Sequence, residues 1–224
     1  MASSKRFKQS TLGESSVVQK REKSNIITGD ALLELPKLAA ESFQCSPPYW
    51  GLRDYAIDGQ LGAENTLEEY IEKVVRIFRE VRRVLRADGT LWLVVGDSYT
   101  SGNRATRDPD KKNAARGMSY RPPTPAGLKP KDLIGVPWKI AFALQQDGWY
   151  LRSDVVWYKP NCQPESVRDR PTKSHEYVFL LTKSEDYFYN SDAVKEPALH
   201  GEKRNRRSLW SVSTVPFKVC CSWV

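Results

Sequence analysis

The sequence of 224 residues contains no apolar run long enough to cross a membrane, and no signal-peptide pattern opens it. Its four cysteines show no spacing typical of disulfide pairs, so we expect reduced thiols and a cytoplasmic location. Only two histidines are present, His175 and His200, and they are too isolated in the chain to predict a metal centre. The sequence therefore argues against membrane proteins, disulfide-rich secreted proteins and histidine-based metal sites.

Hydrophobic residues make up 40% of the chain, which is enough for a folded core, and the net charge is +8. The positive charge is concentrated outside the apolar segments. Residues 102–131 alone carry eight basic and two acidic groups, together with many prolines and glycines. This distribution suits a compact body whose basic arms bind a polyanion. It equally suits solvated segments that keep the protein soluble, and charge alone does not separate the two interpretations.

Helical and strand-like patterns alternate along the chain after a polar stretch, residues 1–24, which we predict to be a flexible basic tail. Thr66 and Glu69 form a potential capping box, and we expect Asp88-Gly89 to end the helix that follows. We predict strands at 26–27, 42–46, 90–95, 150–158 and 176–182, and helices at 31–40, 67–86 and from 137 to about 148. This alternation predicts an α/β fold with a mostly parallel sheet covered by helices.

Polar residues follow three of the predicted strands. They are Gly29-Asp30, the segment Ser46–Trp50 and Gly96-Asp97. Ligands of open parallel sheets bind outside the carboxyl ends of the strands, so these segments are expected to meet at one edge. Taken alone, Asp30 and Asp97 are more typical of turn or cap residues than of functional ones.

The segment Ser46-Pro47-Pro48-Tyr49-Trp50 ends a short strand with two prolines, which stiffen the backbone, and two aromatic rings. It resembles the catalytic motif of amino-group DNA methyltransferases of the β type. "TGDAL", "YWGLRDY", "VLRADGTLWLVVGD" and "DVVWYKPN" resemble further motifs of these enzymes in the order expected, over roughly residues 25–218. The resemblance implies a Rossmann-like methyltransferase domain with helices on both faces of its sheet.

The resemblance also implies a reaction. S-adenosylmethionine would donate a methyl group to the exocyclic amine of a base that has left the duplex. Ser46 and the Pro47 carbonyl would accept hydrogen bonds from this amine, Pro48 would help to fix the geometry, and Tyr49 would stack on the base. The serine form of the motif resembles enzymes specific for cytosine N4, and adenine N6 is the alternative.

Further site residues follow from the same resemblance. Gly29 and Asp30 would lie near the cofactor, while Trp50, Trp157, Lys159 and Asn161 would lie near the DNA. The basic residues of the loop 102–131 would bind DNA phosphates, and the loop is expected to be mobile without DNA. These residues are Arg104, Arg107, Lys111, Lys112, Arg116 and Arg121. The partners implied are double-stranded DNA and a cognate restriction endonuclease, with no membrane and no metal.

The sequence departs from the family pattern in one respect. It contains no Gly-x-Gly, the element expected to hold the methionine part of the cofactor, and residues 219–224 do not resemble the family. We therefore expect a truncated chain that binds S-adenosylmethionine weakly or not at all. A DNA-binding remnant without activity is one alternative function. A protein-glutamine methyltransferase is another, but its motif resembles Asn-Pro-Pro-Tyr, so Ser46 and the basic loop count against it.

Overall fold

A computed structural model describes residues 29–37, 40–101, 106–108, 117–199 and 201–214. The predicted tail at 1–24, the predicted strand at 26–27 and the atypical end at 219–224 lie outside these residues. Most of the basic loop lies outside them as well, so its predicted mobility stays a prediction.

Three helices and five strands make up the described part of the chain. In chain order they are α1 (Ala31–Glu34), β1 (Ala40–Cys45), α2 (Leu67–Val84), β2 (Leu85–Val95), α3 (Val136–Gln146), β3 (Tyr150–Tyr158), β4 (His175–Thr182) and β5 (Leu209–Ser211). A 3-10 turn at Leu35–Lys37 follows α1 and contains Pro36, which explains why the predicted helix at 31–40 stops early. None of the helices in these ranges is long and apolar enough to span a membrane.

The strands form one mixed sheet in the order β1-β2-β4-β3-β5. The pairs β1–β2 and β3–β5 are parallel, whereas β4 runs antiparallel to both β2 and β3. The α/β class is therefore confirmed, and the described part of the sheet is mixed where a mostly parallel one was expected. The reason is that β4 follows β3 through a loop without a helix, and a loop returns the chain in the opposite direction.

Helix α2 begins where the sequence predicts and ends two residues earlier. The Thr66 hydroxyl accepts from the Glu69 backbone N–H, and the Glu69 carboxylate accepts from the Thr66 N–H, which completes the capping box. The helix ends because Leu85 takes an extended conformation, with φ −69° and ψ 140°, and buries its side chain. Asp88-Gly89 therefore lies within β2 and does not end the helix as predicted.

The main core lies between the sheet and helices α2 and α3. Alternate residues of β2 and β4, including Leu91, Leu93 and Phe179, are fully buried against these helices. The opposite face carries a smaller cluster of three buried valines, with Trp92 stacked on Trp210 at 5.9 Å between ring centroids. In the described ranges the long helices thus cover one face, which differs from the expectation of helices on both.

The capping box of α2 provides a test of this fold. Replacing Thr66 with Ala removes the acceptor for the Glu69 N–H and is expected to lower the free energy of unfolding by about 0.5–2 kcal/mol. Urea denaturation measures this change. The control variant Thr66→Ser keeps a hydroxyl at the cap and should retain most of the stability; an equal loss in both variants would contradict the assignment.

Candidate active site

Four strand ends meet at one edge of the sheet. Strands β1 and β2 are parallel, so Ser46 and Gly96, which follow them, leave the sheet on the same side. Strand β4 is antiparallel to β2 and begins at that side, with Tyr177 opposite Val95. Strand β3 is antiparallel to β4 and ends there. The mixed sheet therefore brings together two of the three expected segments, the ones that follow β1 and β2. It also brings the start of β4 and the end of β3 to the same edge.

The diproline corner, residues 46–49, is anchored on helix α2. Ser46 is exposed, whereas Pro47 is buried. The buried Tyr70 on α2 donates its hydroxyl to the Pro48 carbonyl at 2.9 Å, and this hydrogen bond holds the corner. Because it is exposed, Ser46 is open to a ligand, while the Pro47 carbonyl has no hydrogen-bond partner within the described ranges.

The Tyr49 side chain packs against Gly96 at the end of β2. A Cβ atom at position 96 would lie 2.5 Å from Cε2 of the Tyr49 ring, so only glycine allows this approach. The Tyr49 hydroxyl donates to Oε2 of Glu176 at 3.2 Å. Burial, together with the Glu176 carboxylate, raises the pKa of Tyr49 above its usual range. The phenol is therefore neutral at physiological pH, and its ring and hydroxyl are both held in place.

Glu176 connects the motif that contains Tyr49 with the motif that contains Lys159. Its Oε1 atom lies 2.6 Å from Nζ of Lys159, and both side chains are about four-fifths buried. The Lys159 ammonium also lies 4.3 Å from the centroid of the Trp157 ring, a cation–π geometry. The structure thus joins Tyr49 of the first motif to Lys159 of the later motif. The sequence analysis missed Glu176, although a charged residue near the start of an apolar strand is a signal that could have found it.

Three residues predicted to contact DNA are hydrogen-bonded to other parts of the protein. Trp50 is 4% exposed in the main core and donates its indole N–H to the Glu64 carbonyl at 3.0 Å. Trp157 donates its indole N–H to the Val212 carbonyl, and the Asn161 side chain pairs with the Thr214 backbone. Because the Trp50 side chain lies in the core, the structure gives it a packing role, and its DNA contact stays a prediction. The polar groups of Trp157 and Asn161 have a structural role, because their hydrogen bonds fix the segment that follows β5.

Asp97 acts as a cap for α3. Its Oδ1 atom accepts from the backbone N–H groups of Ser98, Gly135 and Val136, so the carboxylate lies at the positive end of the helix. Lys173 lies 3.8 Å from the other oxygen. Burial lowers the pKa of Lys173, and the carboxylate of Asp97 opposes this change. The cap interpretation of Asp97 agrees with the structure.

A cavity of about 290 Å³ opens next to Trp50, the residue that follows Tyr49, and residues 46–49 do not line it. Its volume is near the lower end of the roughly 300–1,000 Å³ usual for ligand pockets. Its lining begins at Trp50 and includes Arg107, Arg121 and Lys173. Arg107 also donates to the Leu52 carbonyl at 3.2 Å. The remaining predicted phosphate contacts lie outside the described residues. They are Arg104, Lys111, Lys112 and Arg116.

The predicted cofactor residues have a local role in the structure. Asp30 caps α1, with its Oδ1 atom accepting from the Leu32 N–H at 2.7 Å. Gly29 lies against the Glu34 side chain, which a Cβ atom would meet at 2.9 Å. No hydrogen bond or ion pair in the described ranges joins Asp30 to the diproline corner. Its cofactor contact therefore stays a prediction.

A family model described as DNA methylase matches residues 43–222, which include the whole site. The chain belongs to this DNA methylase family. The type II methyltransferase M.SmaI of Serratia marcescens is 61% identical over 197 residues, which cover 86% of this chain and 68% of that protein. M.XycI of Xanthomonas campestris pv. cyanopsidis is also 61% identical over 197 residues, with coverages of 87% and 66%. The chain thus spans about two thirds of the length of these methylases.

The fold of a solved DNA methylase agrees with this assignment. The PvuII DNA methyltransferase, described as cytosine-N4-specific, superposes with a TM-score of 0.57 at 16% identity. The superposition covers 86% of this chain and 58% of that chain. At this identity the likeness concerns the Rossmann-like architecture alone. The resemblance to amino-group DNA methyltransferases stated from the motifs is confirmed.

Membership of the methylase family also implies its methyl donor, S-adenosylmethionine, as the motifs predicted. The described residues do not form the expected site for that molecule. No glycine-rich cradle is found among them, and Asp30 is occupied as a cap. No cluster of three or more potential metal ligands is found in the same ranges.

The contact between Tyr49 and Gly96 can be tested by its steric cost. The variant Gly96→Ala places a methyl group where the ring lies and is expected to lower the free energy of unfolding by about 1–3 kcal/mol. Chemical denaturation measures the change. In a Tyr49→Ala background the ring is absent, so the same substitution should cost much less. If Gly96→Ala lowers the free energy of unfolding equally in the wild type and in Tyr49→Ala, the contact is ruled out.

Proposed function

We propose that this chain is the catalytic part of a site-specific DNA methyltransferase that transfers a methyl group from S-adenosylmethionine to the N4 amine of an extruded cytosine. The observation that carries this proposal is the exposed residue Ser46 beside a Pro47 carbonyl to which no hydrogen bond is found in the described ranges, on a corner held by Tyr70. Membership of the DNA methylase family supports the reaction class.

The corner suits an exocyclic amine for an electronic reason. The lone pair of such an amine is delocalised into the ring of the base, so the nitrogen is a poor nucleophile. Two fixed acceptors on its N–H groups favour a pyramidal nitrogen whose lone pair is available for attack. Ser46 and the Pro47 carbonyl supply these acceptors in a preorganised geometry. Polar groups that are already in position stabilise the transition state without a cost of reorganisation during the reaction.

Cytosine N4 is preferred over adenine N6 because of Ser46. The serine form of the motif resembles cytosine-N4 enzymes, and the fold is shared with a methyltransferase described as specific for cytosine N4. Adenine N6 remains the alternative substrate atom. The type II names of the relatives suggest a restriction endonuclease as partner, and a DNA substrate suggests a cytoplasmic location.

A second candidate function is DNA binding without methyl transfer. The absence of Gly-x-Gly from the sequence favours it, since the cofactor would lack the expected cradle. Calorimetry with S-adenosylmethionine separates the two candidates. Micromolar binding to the 224-residue chain supports the enzyme, and no binding together with retention of duplex DNA supports the second candidate.

Removing the Ser46 hydroxyl tests the enzyme directly. The chain is incubated with labelled S-adenosylmethionine and duplex DNA, and the modified nucleoside is identified by its mass. Ser46→Ala is expected to reduce kcat about a hundredfold or more. Enzymes lose kcat by a factor of this order when one preorganised polar group of the active site is removed. Ser42→Ala is the matched control, because Ser42 is an exposed serine in β1, the strand that Ser46 follows. Full activity of Ser46→Ala would refute the assigned role, and methyladenine as product would select the alternative substrate.

The role of the basic loop is tested by the salt dependence of binding. We replace all six predicted phosphate-binding residues with alanine, namely Arg104, Arg107, Lys111, Lys112, Arg116 and Arg121. The magnitude of the slope of log K against log salt concentration should decrease by about 0.9 for each DNA phosphate that the variant no longer neutralises.

The control replaces three exposed arginines on helix α2, Arg76, Arg79 and Arg83, and should leave the slope unchanged. A slope that is the same in the wild type and the six-alanine variant would show that the loop does not bind phosphates.

A further inference from the structure

The cavity next to Trp50 adjoins the contact between Tyr49 and Gly96. Its lining includes Trp50 and Asp97, which directly follow the two residues of that contact. It also includes Lys173, which lies shortly before the start of β4. The cavity therefore opens at the same edge of the sheet as the diproline corner, although it is a separate space.

Among the described residues, three cationic side chains line this cavity. Arg107 and Arg121 belong to the basic loop 102–131, whereas Lys173 comes from the segment before β4. Both guanidinium groups also interact with other groups of the protein, and Arg107 donates to the Leu52 carbonyl. They therefore add positive charge to the cavity even where their hydrogen bonds are used elsewhere.

The two carboxylates of the lining have partners of their own. Oδ1 of Asp97 accepts from three backbone N–H groups, two of them at the start of α3. Oε2 of Glu165 lies 2.6 Å from Nη1 of Arg170, which is not part of the lining. The cations are therefore not fully balanced by the acidic residues beside them, and the cavity favours an anion.

The ammonium of Lys173 has no close acceptor. Its Nζ atom lies 3.8 Å from Oδ2 of Asp97, which is beyond hydrogen-bond distance. No hydrogen bond from Nζ is found in the part of the chain that the structure describes. The side chain is nevertheless only 15% exposed. A buried ammonium without a hydrogen-bonded acceptor is costly in free energy, so an anion that entered the cavity would be bound by a charge already largely removed from water.

We propose that this cavity binds a phosphodiester group of DNA and that Lys173 is the side chain that contacts the phosphate. The identity of the anion rests on the proposed function, since a DNA methylase brings a polyanion to this edge of the sheet. A strand with one nucleotide at the diproline corner has its neighbouring phosphates along the same edge. The sequence analysis did not single out Lys173, because this residue lies outside the basic loop.

The salt dependence of DNA binding gives the first test. Lys173→Met removes the charge and keeps an unbranched side chain. It should weaken binding to duplex DNA roughly tenfold, as expected for the loss of one hydrogen bond to a charged group. The magnitude of the slope of log K against log salt concentration should decrease by about 0.9, the value for one phosphate. Because a phosphate contact carries no sequence information, two duplexes of unrelated sequence should show the same decrease.

Two further variants are the controls for this measurement. Lys173→Arg keeps a positive charge in the cavity and should keep the slope of the wild type. Lys195→Met removes the same charge from an exposed lysine that pairs with Asp192 and is not part of the lining. Its slope should equal that of the wild type, which separates a contact in the cavity from a change in net charge.

Urea denaturation distinguishes DNA from a free phosphate group as the ligand. The wild type and Lys173→Met are unfolded in inorganic phosphate and in chloride at equal ionic strength. The general effect of phosphate on stability is common to both proteins, so a larger stabilisation of the wild type reports binding at Lys173. In chloride, Lys173→Met should be at least as stable as the wild type, because it no longer buries a poorly paired charge.

The slope measured with duplex DNA decides the proposal. A slope that is the same in Lys173→Met and the wild type overturns it, and so does an equal decrease in Lys195→Met. If phosphate stabilises the wild type more than Lys173→Met while the DNA slope does not change, the cavity binds a free phosphate group and the assignment to DNA is wrong. If the slope decreases at Lys173 alone but the wild-type chain transfers no methyl group, the proposed function fails while the phosphate site stands.

Discussion

The close approach of the Tyr49 ring to Gly96 is the contact on which the arrangement of the site depends. It brings the end of β1 against the end of β2, and it is sterically open only because position 96 has no side chain. The hydroxyl at the far end of the ring reaches Glu176 at the start of β4. One aromatic side chain therefore ties three strands together beside the exposed Ser46.

The polar residues around this contact have two different roles. Asp97, Tyr70 and Asn161 satisfy backbone groups that the loops and helix ends would otherwise leave unpaired. Ser46, in contrast, is exposed, and no hydrogen bond to the Pro47 carbonyl is found in the described ranges. A rigid set of internal hydrogen bonds thus supports a small number of groups that remain available to a ligand, as preorganised sites require.

Residue type alone did not distinguish residues with a structural role from residues that remain available to a ligand. Trp50 and Asn161 belong to motifs of the resembling family, yet one is buried in the core and the other holds the chain after β5. An indole N–H or a side-chain amide pairs with backbone carbonyls as readily as with DNA. The choice between these partners depends on which segments the fold brings together, and a motif does not contain that information.

The sequence by itself determined the local features. The capping box of α2, the positions of β1 to β4 and the rigid diproline corner follow from periodicity, side-chain hydrogen bonds and the restricted backbone of proline, which act over a few residues. Tertiary structure alone decided the direction of β4, the burial of Trp50 and the approach of Glu176 to Tyr49, which is 127 positions away in the chain. These depend on how strands pair across the sheet, and that pairing is set by the packing of the whole core rather than by any neighbouring residues.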